Sequence, residues 1–169
     1  MKRFKDVSLR AQWWDYSKAS TYFITINTKD RKKFFGKIEN KEMILSPIGE
    51  KVKEEWQKAV IIRPDMNIEL HDFVIMPEHF HALISIGKNP YNGKDTILTG
   101  NNEIKCNSFK PQSNNLSSVI RGFKSSVTQY CRLNNLDFNW QTRYHDIIVK
   151  DPFQFVRIQK YIQDNPKNY

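Results

Sequence analysis

Two histidines, His79 and His81, stand two residues apart in the apolar segment HFHALISI. Successive side chains of a β-strand point to opposite faces, so both imidazoles are expected on one face of this segment, with Phe80 and Ala82 on the other. Two imidazoles on one face can hold one divalent ion. A hydrogen-bonded or solvent-facing histidine pair has the same spacing, so the pattern alone leaves both interpretations open.

A second pair of polar side chains, Tyr161 and Asn165, lies four residues apart in the last predicted helix. Residues with this spacing share one helical face, one turn from each other. On residue types alone, an amphipathic tyrosine at the edge of the core and an asparagine C-cap before Pro166 is the favoured interpretation. Chemistry at this face therefore needs further support.

The elements that must position these side chains follow from hydrophobic periodicity and from the helix-starting pairs Ser46-Pro47 and Asp151-Pro152. The order β–α–ββ–α–β–α predicts an α+β fold. We expect a ferredoxin-like or RRM-like sandwich with a central antiparallel sheet, helices on one face and a C-terminal tyrosine-bearing helix. The predicted strands are 20–28, 66–75, 79–86 and one within 140–150, with a small hairpin within 29–46; the predicted helices are 46–63, 116–133 and 151–164.

Length and charge limit the class of protein. A chain of 169 residues allows one domain, 1–169, with a basic aromatic N-terminal arm (1–19) and a polar loop or insertion (87–115). No apolar run is long enough to span a membrane, and the first residues lack a signal-peptide pattern, which predicts a cytoplasmic protein.

The net charge of +9 favours nucleic acid as a partner. The candidate DNA contacts are Trp13, Trp14, Lys29, Arg31, Lys32, Lys33, Arg121, Lys124 and Arg143.

Four segments together resemble a known family. MPEHFHALISI (76–86) resembles the HUH motif (His, bulky apolar residue, His) of single-tyrosine transposases, the DNA-nicking enzymes of the simplest bacterial insertion sequences. Three further segments follow it along the chain: IRGFKSSVTQY (120–130), WQTRYHD (140–146) and YIQDNP (161–166). The order of the four segments is similar to that in the REP-associated branch of these transposases. The similarity covers roughly residues 20–166. The combination is much more specific than any one segment.

The resemblance implies roles for individual residues. His79 and His81 would bind a divalent metal, Mg²⁺ or Mn²⁺, and Tyr161 would be the nucleophile. Asn165 falls where the family places a polar residue, often Gln, that completes the metal site. Tyr161 is preferred over two other tyrosines, Tyr130 and Tyr144, which are expected to pack or, for Tyr144, to contact DNA.

Two auxiliary groups are left open. Glu78 stands where many relatives have Asn, and His145 lies in the WQTRYHD segment. A phenol keeps its proton at neutral pH, so attack by a tyrosine needs a proton acceptor. Glu78, His145 and water are all candidates for that base.

The implied activity is cutting and rejoining of single-stranded bacterial DNA at hairpin-flanked sites, through a 5′-phosphotyrosine with release of a 3′-hydroxyl. The family also implies a homodimer, in which the tyrosine helix serves its own or the partner's histidines. One alternative is a non-catalytic single-stranded nucleic-acid-binding module derived from this family. A structural Zn²⁺ protein is disfavoured, because no third and fourth His or Cys ligand is at hand.

Overall fold

A computed structural model describes Trp14, Tyr16, residues 18–92 and residues 114–169 of the chain. Most of the predicted arm and of the loop 87–115 lies outside these residues, and so does Trp13. The described elements are β1 (Ser20–Asn27), β2 (Gly36–Glu39), β3 (Glu42–Leu45), α1 (Pro47–Gln57), α2 (Ala59–Ile62), β4 (Ile68–Met76), β5 (His79–Ile86), α3 (Leu116–Leu133), β6 (His145–Val149) and α4 (Pro152–Asp164).

The central sheet has four strands in the order β4-β5-β1-β6, and all neighbouring pairs are antiparallel. Without the small β2-β3 hairpin, this is the strand order of a ferredoxin-like sheet. The predicted α+β fold class is therefore confirmed. The strand order puts β1 and β5 at the centre of the sheet. Strand β5 carries the histidine pair.

The two faces of the sheet carry different cores. On one face, α1 and α3 pack on the sheet, and the rings of Trp56, Phe80 and Phe123 meet at centroid distances of 5.0 to 5.5 Å. On the other face, Ile162 of α4 packs on Phe23 and Leu83 in a smaller cluster. Because Phe80 alternates with the histidines, the histidines face the α4 side.

Local signals explain where the helices begin. Ser46, Asn115 and Asp151 each accept a hydrogen bond from a backbone N–H of the first helical turn, which satisfies donors that would otherwise be unpaired. The predicted helix 46–63 differs from the structure, which divides it at Lys58 into α1 and the four-residue α2. Its last part is the β-branched run Val60-Ile61-Ile62, a poor helix sequence before Pro64.

No helix among the described residues is long and apolar enough to cross a membrane.

Candidate active site

The histidine pair lies on the α4 face of β5. The ring centroids of His79 and His81 are 4.6 Å apart. The Nδ1 atom of His81 lies 2.8 Å from the Thr25 hydroxyl of the neighbouring strand β1, and Nδ1 of His79 lies 3.2 Å from a carboxylate oxygen of Glu78. Each ring is therefore oriented through Nδ1, which leaves Nε2 as the available ligand atom.

Helix α4 brings the second predicted pair to the first. The Tyr161 hydroxyl lies 3.4 Å from Nε2 of His81, and the Asn165 side chain interacts with His79. Tyr161 and Asn165 are about 6 Å apart along the helix axis, and His79 and His81 are about 6.7 Å apart along the strand. The two pairs have matching spacings and can therefore lie side by side. The structure thus places all four residues together within one chain.

A carboxylate of β4 contacts α4 on the face of the sheet that carries the histidines. The register of β4 shifts between Leu70 and Phe73, and Asp72 lies in this irregular stretch. Its two carboxylate oxygens accept hydrogen bonds of 2.6 and 2.8 Å from the side-chain amides of Gln159 and Gln163, one turn apart on α4. These hydrogen bonds lower the pKa of Asp72. Sequence patterns gave no sign of this contact.

Replacing Asp72 with alanine is expected to lower the free energy of unfolding at neutral pH by about 1–2 kcal/mol, because two hydrogen bonds to a carboxylate are lost. The folded-state pKa of Asp72 is depressed, so its contribution is present above the ordinary value of 3.8 and is lost as the pH falls further. Denaturant unfolding of wild type and Asp72→Ala across this pH range measures both effects.

The matched control for this variant is Glu69→Ala, which removes an exposed carboxylate from the same strand. We expect it to change stability by less than about 0.5 kcal/mol. An Asp72→Ala protein as stable as wild type at neutral pH, or a stability difference that does not shrink with acid, contradicts the assigned contact.

Burial keeps both imidazoles neutral at physiological pH. Desolvation, helped by the neighbouring His79, lowers the pKa of His81 to about 3. Desolvation also lowers the pKa of His79, although the Glu78 carboxylate opposes this shift. The positive charge of Arg31 lowers both pKa values further. Neutral imidazole is the form that binds metals.

The side chains present fit a divalent ion with mixed nitrogen and oxygen ligands. Both imidazoles are neutral, held through Nδ1 and close together, as in metal sites whose second shell orients the ligating rings. Among the described residues, no group of three or more His, Cys, Asp or Glu side chains is placed to hold an ion. Further ligands would therefore be amide oxygens, such as that of Asn165, together with water or phosphate, a set suited to Mg²⁺ or Mn²⁺.

The tyrosines differ in their position relative to the histidine pair. Tyr130 and Tyr144 pack against the core on the opposite face of the sheet, whereas Tyr161 is half exposed beside His81. Tyr169 also reaches the site, since its hydroxyl donates a 2.9 Å hydrogen bond to Glu78. The sequence interpretation did not include Tyr169, because no periodicity links it to the histidines.

The basic run 29–33 follows directly on the end of β1 and lies beside the site. Lys29, Arg31, Lys32 and Lys33 are all exposed, and the amino group of Lys33 lies 5.2 Å from the centre of the Tyr169 ring. Thr28, just before this run, is hydrogen-bonded to the backbone oxygen of Glu78. Arg31, whose charge acts on both imidazoles, and Lys33 therefore lie near the histidine pair, whereas Lys32 lies near Asp137 and the Phe34 ring.

The other candidate DNA contacts are distributed elsewhere. Arg121 and Lys124 belong to α3, across the sheet from the histidines, and burial lowers the pKa of Lys124 to about 8. Trp14 packs against the core of that face and donates its indole N–H to the Tyr22 hydroxyl. Arg143 is exposed in the segment before β6. The structure does not bring these residues to the histidine pair.

The auxiliary candidate His145 shares the face of the histidine pair. Thr25 of β1 pairs with His145 of β6 on one side and with His81 of β5 on the other. His145 therefore lies in the same row of side chains as His81, two strands from it. It is exposed. Glu78, the other candidate, is already engaged by His79 and Tyr169.

Comparison with known proteins agrees with this architecture. A solved structure of a REP-associated tyrosine transposase bound to a REP hairpin matches the chain with a TM-score of 0.58, covering 92% of this chain and 71% of that one at 18% sequence identity. At this identity the match shows a shared fold. The expected transposase-like architecture is thereby confirmed at the level of the fold.

A closer relationship is visible in sequence. A protein of Haemophilus influenzae (strain ATCC 51907 / DSM 11121 / KW20 / Rd), described only as an uncharacterized protein, is 34% identical over 162 residues, which cover 94% of this chain and 87% of that protein. The chain therefore belongs to the same family as this Haemophilus protein. No family model matches the chain.

Proposed function

We propose that the protein is a single-strand DNA endonuclease and strand transferase of the REP-associated tyrosine transposase type, acting at hairpin-flanked sites with Mg²⁺ or Mn²⁺. One observation carries the proposal: a phenol from α4 and two neutral imidazoles from β5 meet in one place, with the Tyr161 hydroxyl 3.4 Å from His81. A covalent protein–DNA bond retains the energy of the cleaved linkage, which suits strand transfer better than hydrolysis.

In the proposed reaction the Tyr161 oxygen attacks the scissile phosphorus, and the bond from phosphorus to the 3′ oxygen breaks. The 5′ phosphate stays on Tyr161, and the leaving 3′ oxygen takes up a proton from water or from the group that accepted the phenolic proton, so that it departs as a hydroxyl. The phenolic proton passes to water or to His145, because Glu78 is already engaged in two contacts. His79, His81 and Asn165 would hold the divalent ion, which when bound supplies Lewis-acid stabilisation of charge on the phosphate oxygens.

The surroundings of the site suit a DNA strand. Arg31 and Lys33 are exposed near the histidines and would neutralise backbone phosphates beside the scissile bond. The homodimer stays a prediction. Since Tyr161 lies at His81 of its own chain, each subunit of such a dimer would carry a complete set of the proposed residues.

The test is incubation of the protein with a labelled single strand that contains a hairpin, in the presence of Mn²⁺ or Mg²⁺ and then of chelator. We expect a labelled protein band that survives SDS and that requires the ion. A protein that binds the strand but forms no such band would support the alternative of a non-catalytic binding module. A protein that does neither contradicts both proposals.

A further inference from the structure

One polar side chain near the histidine pair has an atom without a hydrogen-bond partner in the part of the chain that the structure describes. Asn27, the last residue of β1, is 7% exposed, and its side-chain oxygen Oδ1 is buried without a hydrogen bond among the residues that the structure describes. A buried acceptor left without a hydrogen bond destabilises the folded state, and such atoms are few in native proteins. The position of Asn27 therefore calls for a ligand or another explanation.

The sheet register places Asn27 beside the metal-binding candidates. Asn27 is the antiparallel partner of His79, as Thr25 is of His81. Directly opposed residues have side chains on the same face with Cβ atoms about 4.5–5.5 Å apart. The contact of 2.8 Å between Thr25 and His81 shows that this geometry brings β1 side chains against the imidazoles. Asn27 holds the equivalent position next to His79.

We propose that Asn27 supplies an oxygen ligand to the divalent ion held by His79 and His81. The inference rests on the metal site of the proposed function and adds a ligand from a third element, β1, to those from β5 and α4. The burial of the Asn27 Oδ1 atom from water is compatible with this role, because a bound Mg²⁺ ion lies only about 2.0–2.1 Å from a ligand oxygen. A hydrogen-bonded water approaches only to about 2.7–2.8 Å and so needs more room.

This assignment predicts opposite effects on the apo and metal-bound protein. Replacing Asn27 with leucine removes the unsatisfied oxygen at similar volume, so the apo protein is expected to be at least as stable as wild type, while the dissociation constant for Mn²⁺ rises about tenfold or more. Replacing Asn27 with aspartate keeps the oxygen and adds a charge. It is expected to destabilise the apo protein and to bind Mn²⁺ at least as tightly as wild type.

The experiment is calorimetric titration of the full chain with Mn²⁺ in the absence of DNA, together with thermal unfolding of each variant with and without Mn²⁺. Thr21→Val is the matched control, because Thr21 lies on the same face of β1 but pairs with Ser85 at the other end of the strand. It is expected to bind Mn²⁺ as wild type does.

The outcomes separate this inference from the proposed function. Wild-type Mn²⁺ affinity in Asn27→Leu overturns the role of Asn27 and leaves the histidine site intact. Loss of Mn²⁺ binding in Asn27→Asp as well as in Asn27→Leu also overturns it, since the oxygen is then not what matters. A wild-type protein that binds no Mn²⁺ overturns the metal site itself, and the ligand with it.

Discussion

Tyr161→Phe is expected to abolish the covalent attachment of the protein to single-stranded DNA. Phenylalanine has no oxygen that could form a bond to phosphorus, so the loss should be complete rather than partial. Tyr161 is half exposed, and its ring contacts His81 and Phe23 at centroid distances of 5.4 and 6.0 Å. The phenylalanine ring can keep these contacts, so the free energy of unfolding should change by less than about 0.5 kcal/mol.

The sharpest control for this variant is Tyr169→Phe. The Tyr169 hydroxyl also lies near the histidine pair, but it donates its hydrogen bond to Glu78 rather than lying against an imidazole. We expect Tyr169→Phe to form the adduct. If Tyr161→Phe still forms the adduct and Tyr169→Phe does not, the nucleophile is Tyr169 and the role given to Tyr161 is wrong.

His81→Ala is expected to remove both Mn²⁺ binding and adduct formation. Loss of an outer partner of a metal ligand costs about 10–100-fold in affinity, and loss of the ligand itself should cost more. At an Mn²⁺ concentration about 100 times the wild-type dissociation constant, the ion stabilises the wild-type fold by about 2.7 kcal/mol. A protein with at least 100-fold weaker binding gains no more than about 0.4 kcal/mol under the same conditions.

His71→Ala is the matched control for the metal prediction. His71 lies on β4, where Nε2 contacts the Ser85 hydroxyl at 2.8 Å and the ring meets Phe155 of α4 edge-on. His71 is partly buried, but it is not one of the proposed metal ligands. Its replacement should leave the Mn²⁺-dependent stabilisation in place. An Mn²⁺ response that survives in His81→Ala, or that disappears in His71→Ala, contradicts the assigned ligands.

The sequence predicted the elements that carry the site because each has a strong local signal. Strand β5 has the predicted bounds, 79–86, and helix α4 occupies the predicted stretch 151–164, since the apolar segment HFHALISI marks the first and the pair Asp151-Pro152 marks the start of the second. The spacing of Tyr161 and Asn165 predicted a shared face. That this face would meet the histidines came from the family resemblance, because spacing within one helix does not say where the helix packs.

The residues that the sequence did not reveal depend on tertiary placement. Asp72 contacts Gln159 and Gln163 because α4 packs over this face of β4, which the sequence of the strand does not specify. Thr25 and Asn27 face the histidines because of the pairing of β1 with β5, which cannot be obtained from either strand alone. The location of the basic candidates is likewise not evident from the sequence: Arg31 and Lys33 lie near the site because β1 ends there, whereas Lys124 lies across the sheet.

The most direct measurement is peptide mapping, by mass spectrometry, of the adduct that the wild-type protein forms with a hairpin-containing single strand. We expect a nucleotide attached through its 5′ phosphate to the peptide that contains Tyr161. Attachment to any other residue, or a protein that binds the strand with Mn²⁺ present and remains unmodified, would contradict this expectation.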